Sequence, residues 1–270
     1  MIINQAANAL DEDVGSGDIS AELIDANTLL ETELLVREDA VLCGCQWFDE
    51  VFRQCDARIN IRWHAQDGDT VTSSAIICEV SGPARGLLTA ERSALNFLQT
   101  LSGTATLARS YVDKIKHTDC KILDTRKTLP QLRYGQKYAV LCGGGSNHRI
   151  GLFDAFLIKE NHLAASDGIA NAVSRARQIH PDKFLEVEVE NLEQLQQAID
   201  AGVDRALLDN FSIPAMNAAV ELNNRRIELE ASGNIDQDNL VEYAETGVDF
   251  ISIGALTKNL RAIDFSLRYR

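Results

Sequence analysis

KILDTRKTLPQLRYGQKYAVLCGGGSNHRIGLFDAFLIKENH, residues 121–162, decides how this chain is read. It holds two short apolar strand-like runs, KILD (121–124) and AFLIK (155–159), and each runs into a polar cluster. The whole chain has 26 Lys+Arg against 40 Asp+Glu, so basic side chains are scarce. This window nevertheless carries seven of them (Lys121, Arg126, Lys127, Arg133, Lys137, Arg149, Lys159) against three acids (Asp124, Asp154, Glu160). Concentrated positive charge in a chain of formal charge −14 attracts anions.

Working outward toward the C-terminus, the same strand signature recurs as FLEVEVE (184–190), RALLD (205–209), IELEAS (227–232) and FISIG (250–254). Helical stretches separate them: DGIANAVSRARQIH, LEQLQQAIDAG, PAMNAAVELNN and DNLVEYAETG. Repeated βα units with Val, Ile and Leu in the strands indicate a parallel sheet covered on both faces. The sheet is either open or closed into a barrel, and the short, similar spacing of the last units favours a barrel, of six or seven parallel strands against the usual eight.

Toward the N-terminus the pattern differs. A helix up to about residue 20 ends in the turn DVGSGDIS, and the runs TELLVREDAVLCG, ARINIRWHAQDG and TSSAIICEVSG close on Gly or Asp-Gly signals. The helix CQWFDEVFRQC interrupts them with Trp47, Val51 and Phe52 on one face. This first part reads as a small α+β domain with an antiparallel sheet. LLTAERSALNFLQTLSGTATLARSYVDKIKH is the strongest helical signal, with Thr89 as its expected cap and a break at Ser102-Gly103. RAIDFSLRYR reads as a last strand returning to the first domain. The expected domains are therefore 1–103, completed by 260–270, and 104–259.

At 270 residues and 45% hydrophobic, the chain can bury a large core without staples. No apolar run reaches spanning length and no signal-peptide pattern opens the sequence, so a cytoplasmic protein without membrane contact is expected. The six cysteines form no CxxC pair and read as buried thiols in a reducing compartment. An acidic chain does not suit nucleic acid; a local basic pocket suits a small anion.

Barrel chemistry sits at the C-terminal ends of strands. Here KILD leads into Thr125, Arg126 and Lys127, AFLI into Lys159, RALLD ends on Asp209, IELEA on Ser232-Gly233, and FISI on Gly254. Glu186, Glu188 and Glu190 share one strand face, and buried carboxylates need cations or metal. Glu188 with Asp209 on the next strand offers hard oxygen ligands for Mg²⁺, and ion pairs with nearby Lys and Arg are the competing use. The glycines could cradle a phosphate or merely make turns. The loop Cys142–Arg149 delivers His148 and Arg149; its contiguous glycines are no dinucleotide fingerprint, and His148 has no partner at metal-ligand spacing. Arg92, off the apolar stripe of its helix, reads as a solvated charge.

Taken together, DTRKT (124–128), KYAVLCGGGSNHR (137–149), FLIKENH (156–162), EVEVEN (186–191), LLDN (207–210), EASGN (230–234) and ETGVDFISIGALT (245–257) resemble the quinolinate phosphoribosyltransferase family, as do EDVGSGDIS (12–20) and ERSALNFLQTLSG (91–103). The resemblance spans nearly the whole chain. It implies a type II phosphoribosyltransferase fold, an N-terminal α/β sandwich plus an open barrel, working as a homodimer. It implies that quinolinate and 5-phosphoribosyl-1-pyrophosphate are joined with Mg²⁺, giving nicotinate mononucleotide, pyrophosphate and CO₂ for NAD synthesis.

The family's substrate residues fall on Arg92, Thr125, Arg126, Lys127, His148, Arg149, Lys159, Glu188, Asp209, Ser232, Gly233, Asn234, Ile253, Gly254 and Ala255. Arg92 would then reach across from a partner subunit, against its bland reading. Arg92, Arg126, His148 and Arg149 would hold the two carboxylates; Lys127, Lys159, Glu188 and Asp209 would carry the catalytic charges. Gln131, the Tyr134-Gly135-Gln136 run and Asn234 depart from the family's habit. The competing readings are a paralogue with another acceptor, a non-catalytic phosphosugar binder, and a Schiff-base barrel using Lys159.

Overall fold

A computed structural model describes residues 1–270. The chain begins α1 (Ile2–Val14), β1 (Leu29–Val36), β2 (Ala40–Val41), α2 (Cys45–Cys55), β3 (Asn60–Trp63), β4 (Thr70–Val71), β5 (Ile76–Pro83) and α3 (Ala84–Ile115). It continues β6 (Lys121–Leu123), α4 (Arg133–Cys142), β7 (Phe156–Ile158), α5 (Glu160–Ala165), α6 (Ile169–Ile179), β8 (Leu185–Val189) and α7 (Leu192–Ala201). The remainder is β9 (Arg205–Asp209), α8 (Ile213–Asn223), β10 (Glu228–Ser232), α9 (Leu240–Ala244), β11 (Phe250–Ser252), α10 (Ala255–Lys258) and β12 (Phe265–Tyr269).

Two compact units emerge. The first comprises Met1–Arg109, Leu129–Gly144 and Asn259–Arg270. Its antiparallel sheet has the order β12-β1-β5-β3, so the C-terminal strand does return to the first domain. Alternation places Leu34, Val36, Cys78, Val80, Phe265 and Leu267 in a core with Phe48, Val51 and Phe52 of α2 and Leu87, Leu95 and Leu98 of α3. Each fully buried Leu or Phe contributes about 1.5–3 kcal/mol, so this shared core is what holds sheet and helices together as a sandwich.

Three expectations are corrected here. The helix begins at Ala84, straight after β5, so Thr89 is interior rather than a cap. Its Oγ1 lies 2.9 Å from both Arg85 O and Asp18 Oδ2, with one hydroxyl proton shared between the two acceptors. Nor does Ser102-Gly103 break α3. A Cβ at Gly103 would lie 2.3 Å from Arg261 O, so the glycine permits close approach of another backbone inside an unbroken helix. Finally, Leu129–Gly144 groups with the first unit rather than the barrel, as does the stretch to Arg109. The reason is apolar: Ala139 of α4 packs with Val41, Cys43, Trp47, Leu101 and Ala105. Within that segment the Tyr134-Gly135-Gln136 run is plain helix, and Gln131 takes a left-handed φ of 62°.

The second unit, Ser110–Thr128 and Gly145–Lys258, holds six parallel strands in the order β6-β11-β10-β9-β8-β7. Each βα step from β7 to β11 moves one strand in the same direction, and β11 then pairs with β6, the first strand. Only β6 and β7 lack a ladder between them, which is the seam of an open barrel, of six strands rather than seven. Local chemistry sets the helices that step between strands. Asn191 Oδ1 accepts from Gln194 N at 3.0 Å to start α7, and Gly202 (φ 75°) stops it in the left-handed region.

Candidate active site

Because all six strands run parallel, their C-terminal ends gather at one end of the sheet, and the expected polar residues arrive with them. At the β6 end, Thr125 Oγ1 accepts from Lys127 N at 3.0 Å. Lys127 lies against the β11 turn: a Cβ on Gly254 would come within 2.9 Å of Lys127 Cδ, and Thr257 Oγ1 donates to Lys127 O at 2.8 Å. The Thr125–Lys127 and Ile253-Gly254-Ala255 segments thus form one corner. Gly254 leaves room there for the lysine stem.

Across the sheet, Lys159 at the end of β7 is ion-paired with Glu188 of β8. Burial pushes the Glu188 carboxyl above its usual range, Lys159 pulls it back, and the negative charge of Asp209 on β9 pushes it up again. Two carboxylates close enough to perturb one another are therefore held beside a cation. Asp209 also accepts from Asn210 Nδ2 at 2.8 Å. Asn210 in turn ties the β9 end to the β10 turn, its N donating to Ser232 O at 2.9 Å while Asn234 Nδ2 donates to its Oδ1 at 3.2 Å. A Cβ on Gly233 (φ 99°) would sit 2.2 Å from that same Oδ1, so this position requires glycine. Asn234, with φ 52°, is a residue type that tolerates the left-handed region.

The loop after α4 supplies the remaining pair. Asp124, fully buried at the end of β6, accepts from His148 N at 2.9 Å and so anchors the loop. Arg149 is partly buried, and its guanidinium pKa is depressed by burial first and by the positive charge of Arg126 second. Glu186 and Asp154 pull it back up, so the Arg149 guanidinium feels one cation and two carboxylates.

The residues of the sequence reading divide as follows. Thr125, Lys127 and Gly254 meet; Lys159 and Glu188 meet, within reach of the charge of Asp209; Asp209 joins Ser232, Gly233 and Asn234 through Asn210; Arg126 is near enough for its charge to act on Arg149. Arg92 is exposed on α3 in the first unit. Glu190 lies beyond the end of β8 and is exposed, so the row of three glutamates is functionally a row of two. His162 has a structural place, its Nδ1 accepting from Lys159 N at 3.1 Å. Lys159 is salt-bridged rather than enclosed by apolar side chains, which removes the ground for a Schiff-base lysine.

Sequence reasoning missed a buried group. His148 Nε2 lies 2.8 Å from Glu186 Oε2 and 3.4 Å from Glu230 Oε2. Arg205 Nη1 donates to Glu230 Oε2 at 3.2 Å, and its guanidinium carbon lies 4.0 Å from the Phe250 ring centroid. Burial raises the Glu230 carboxyl first and Glu186 raises it second, to about 7; burial also raises Glu186. The available signal was the alternation of Glu228 and Glu230 in IELEAS, matching Glu186 and Glu188 in FLEVEVE.

Parallel strands that bring clustered cations and carboxylates to one end define an α/β-barrel protein built around an anionic small molecule. Models of the quinolinate phosphoribosyl transferase N-terminal and C-terminal domains match residues 18–102 and 104–268. The nicotinate-nucleotide pyrophosphorylase [carboxylating] of Mycobacterium leprae is 41% identical over 268 residues, covering 96% of this chain and 94% of its own. A probable enzyme of that name from Bacillus subtilis is 39% identical over 257 residues, 95% of this chain and 89% of its own. The solved nicotinate-nucleotide pyrophosphorylase of Francisella tularensis superposes with a TM-score of 0.97 at 48% identity, over 100% of this chain and 96% of its own. The chain belongs to the quinolinate phosphoribosyl transferase family.

Proposed function

We propose that this protein transfers the phosphoribosyl group of 5-phosphoribosyl-1-pyrophosphate to quinolinate, releasing pyrophosphate and CO₂ and forming nicotinate mononucleotide for NAD synthesis. The observation that carries this reading is the gathering of cations at one end of the parallel strands: Lys127 against the Gly254 turn, Lys159 on Glu188, and the partly buried Arg126 and Arg149, whose guanidiniums suit carboxylates. Arg92, exposed on its own chain, completes the clamp from the partner subunit of a homodimer. Lys127 and Lys159 offset the charge of the pyrophosphate, and the Ser232-Gly233-Asn234 and Ile253-Gly254-Ala255 turns receive the 5-phosphate.

The chain's part in the reaction is positioning and fixed charge. The clamp aims the pyridine nitrogen at the ribose C1, where a C–N bond forms as the C1–O bond to pyrophosphate breaks. The electron pair left by departing CO₂ is then stabilised by the adjacent cationic ring, and a proton replaces CO₂ on that carbon. Cytoplasmic action suits its six free thiols. No helix is long and apolar enough to cross a membrane.

Glu188 and Asp209 fit Mg²⁺: they are hard oxygen donors, and the Glu188 carboxyl is raised by burial first, with the charge of Asp209 adding to it. Held by Glu188 and Asp209, the ion would supply positive charge against the leaving pyrophosphate. Incubation with quinolinate, 5-phosphoribosyl-1-pyrophosphate and Mg²⁺ should yield nicotinate mononucleotide and CO₂ in equal amounts. EDTA should stop turnover and added Mg²⁺ restore it. Absence of the mononucleotide under saturating substrates overturns the reading.

A further inference from the structure

Glu186 and Glu230 are buried to 1% and 0% relative exposure, on strands separated by β9, and both reach one imidazole. His148 Nε2 faces Glu186 Oε2 at 2.8 Å, while its Nδ1 faces the backbone N–H of Arg149 at 2.7 Å. A backbone N–H only donates, so Nδ1 must accept and carries no proton. An imidazole keeps at least one proton, so Nε2 carries it and donates to Glu186. His148 is therefore the neutral Nε2–H tautomer, with its single N–H directed at Glu186 rather than at a substrate carboxylate.

The same contacts decide against a metal ion among His148, Glu186 and Glu230, although their ligand atoms lie within 4.8 Å of one another. A metal-bound imidazole donates from its second nitrogen, and here that nitrogen accepts. The Glu230 oxygen nearest His148, Oε2, already accepts from Arg205 Nη1. The group is instead a chain of contacts running from inside the barrel to the loop: Arg205 to Glu230, both glutamates to His148, and His148 to the Arg149 backbone.

We propose that Glu186 is a positioning residue for the acceptor pocket: it holds His148 as the Nε2–H tautomer, whose Nδ1 receives the Arg149 N–H and sets the direction in which the Arg149 guanidinium leaves the chain. This rests on the reading of Arg149 as a quinolinate-binding residue, and it removes His148 from the set that grips the carboxylates directly.

Nitrogen-15 histidine spectra of the substrate-free protein test the tautomer, with the His148 signals identified by their loss in His148→Asn. At neutral pH a pyridine-type Nδ1 and a pyrrole-type Nε2 are expected; an imidazolium or the reversed tautomer overturns the proposal. Kinetics test the role. His148→Asn keeps an acceptor oxygen near the Nδ1 position, whereas His148→Gln keeps only an N–H near the Nε2 position. The KM for quinolinate should rise roughly 10–100-fold in His148→Gln and distinctly less in His148→Asn, with the KM for the sugar pyrophosphate much less affected in both. The opposite ranking assigns His148 to direct donation and overturns the proposal. Glu186→Gln, which keeps an acceptor oxygen, should retain more quinolinate affinity than Glu186→Leu; equal values overturn it. A wild-type protein that makes no nicotinate mononucleotide would sink the reading of function instead, and the tautomer spectra, needing no substrate, stand apart from that failure.

Discussion

The two large sheets of this protein treat charge in opposite ways. In the antiparallel sheet β12-β1-β5-β3 the enclosed face is apolar apart from Thr32, whose hydroxyl donates to Val80 O at 3.1 Å. Its charges lie on the other face, where Arg270 pairs with Glu33 and with Glu79. In the parallel sheet, Glu186, Glu188, Arg205 and Glu230 are wholly or largely buried. Burying a charge costs several kcal/mol unless it is paired, so a sheet serving stability alone has no use for such a set. The contrast locates function without reference to any ligand.

Arg126→Ala should break the contrast most sharply, cutting kcat/KM by about 10²–10³-fold while leaving the melting temperature nearly unchanged. Arg126→Lys should recover little, because the ammonium lacks the guanidinium's bidentate fork. Leu34→Ala, in the enclosed face of the antiparallel sheet, should do the reverse: about 2–5 kcal/mol lost in denaturant unfolding, with activity intact wherever the protein is folded.

Glu230 sharpens the comparison through pH. Its carboxyl is raised from 4.5 to about 7 in the folded protein, so its contribution to stability is complete below about pH 4.5 and is lost as pH rises through 7. Glu230→Gln stays neutral throughout, so unfolding curves of variant and wild type should lie closest in acid and separate in the variant's favour by up to about 3 kcal/mol near pH 8. Parallel pH profiles would show that the buried carboxyl does not titrate as described. The smallest effect belongs to Arg270→Ala on the outer face, whose half-exposed ion pairs are screened by solvent, so the melting temperature should barely shift and turnover should not change.

How much of this was legible beforehand depended on the range of the interaction. The six βα strands, the polar strand ends and Lys159, Glu188 and Asp209 could be read directly, because strand period and strand termini are local properties. Gly103 and Thr89 were misread for the same reason. Glycine weakens a helix and threonine caps one by local rules, but an approaching Arg261 backbone and a helix begun at Ala84 outweigh both. Arg92 looked like a surface charge and is one on its own chain; only the family resemblance gave it a task.

By itself, then, the sequence determined the two sheet types, the barrel-like succession of strands and the anionic character of the ligand, since periodicity and charge survive in a linear string. Tertiary structure alone decided that Leu129–Gly144 packs with the first unit, that Arg205 reaches Glu230, and that His148 Nε2 meets Glu186. Those are contacts between residues far apart in the chain, and a hydrogen bond acts only over a few ångströms of space, whatever the separation along the backbone.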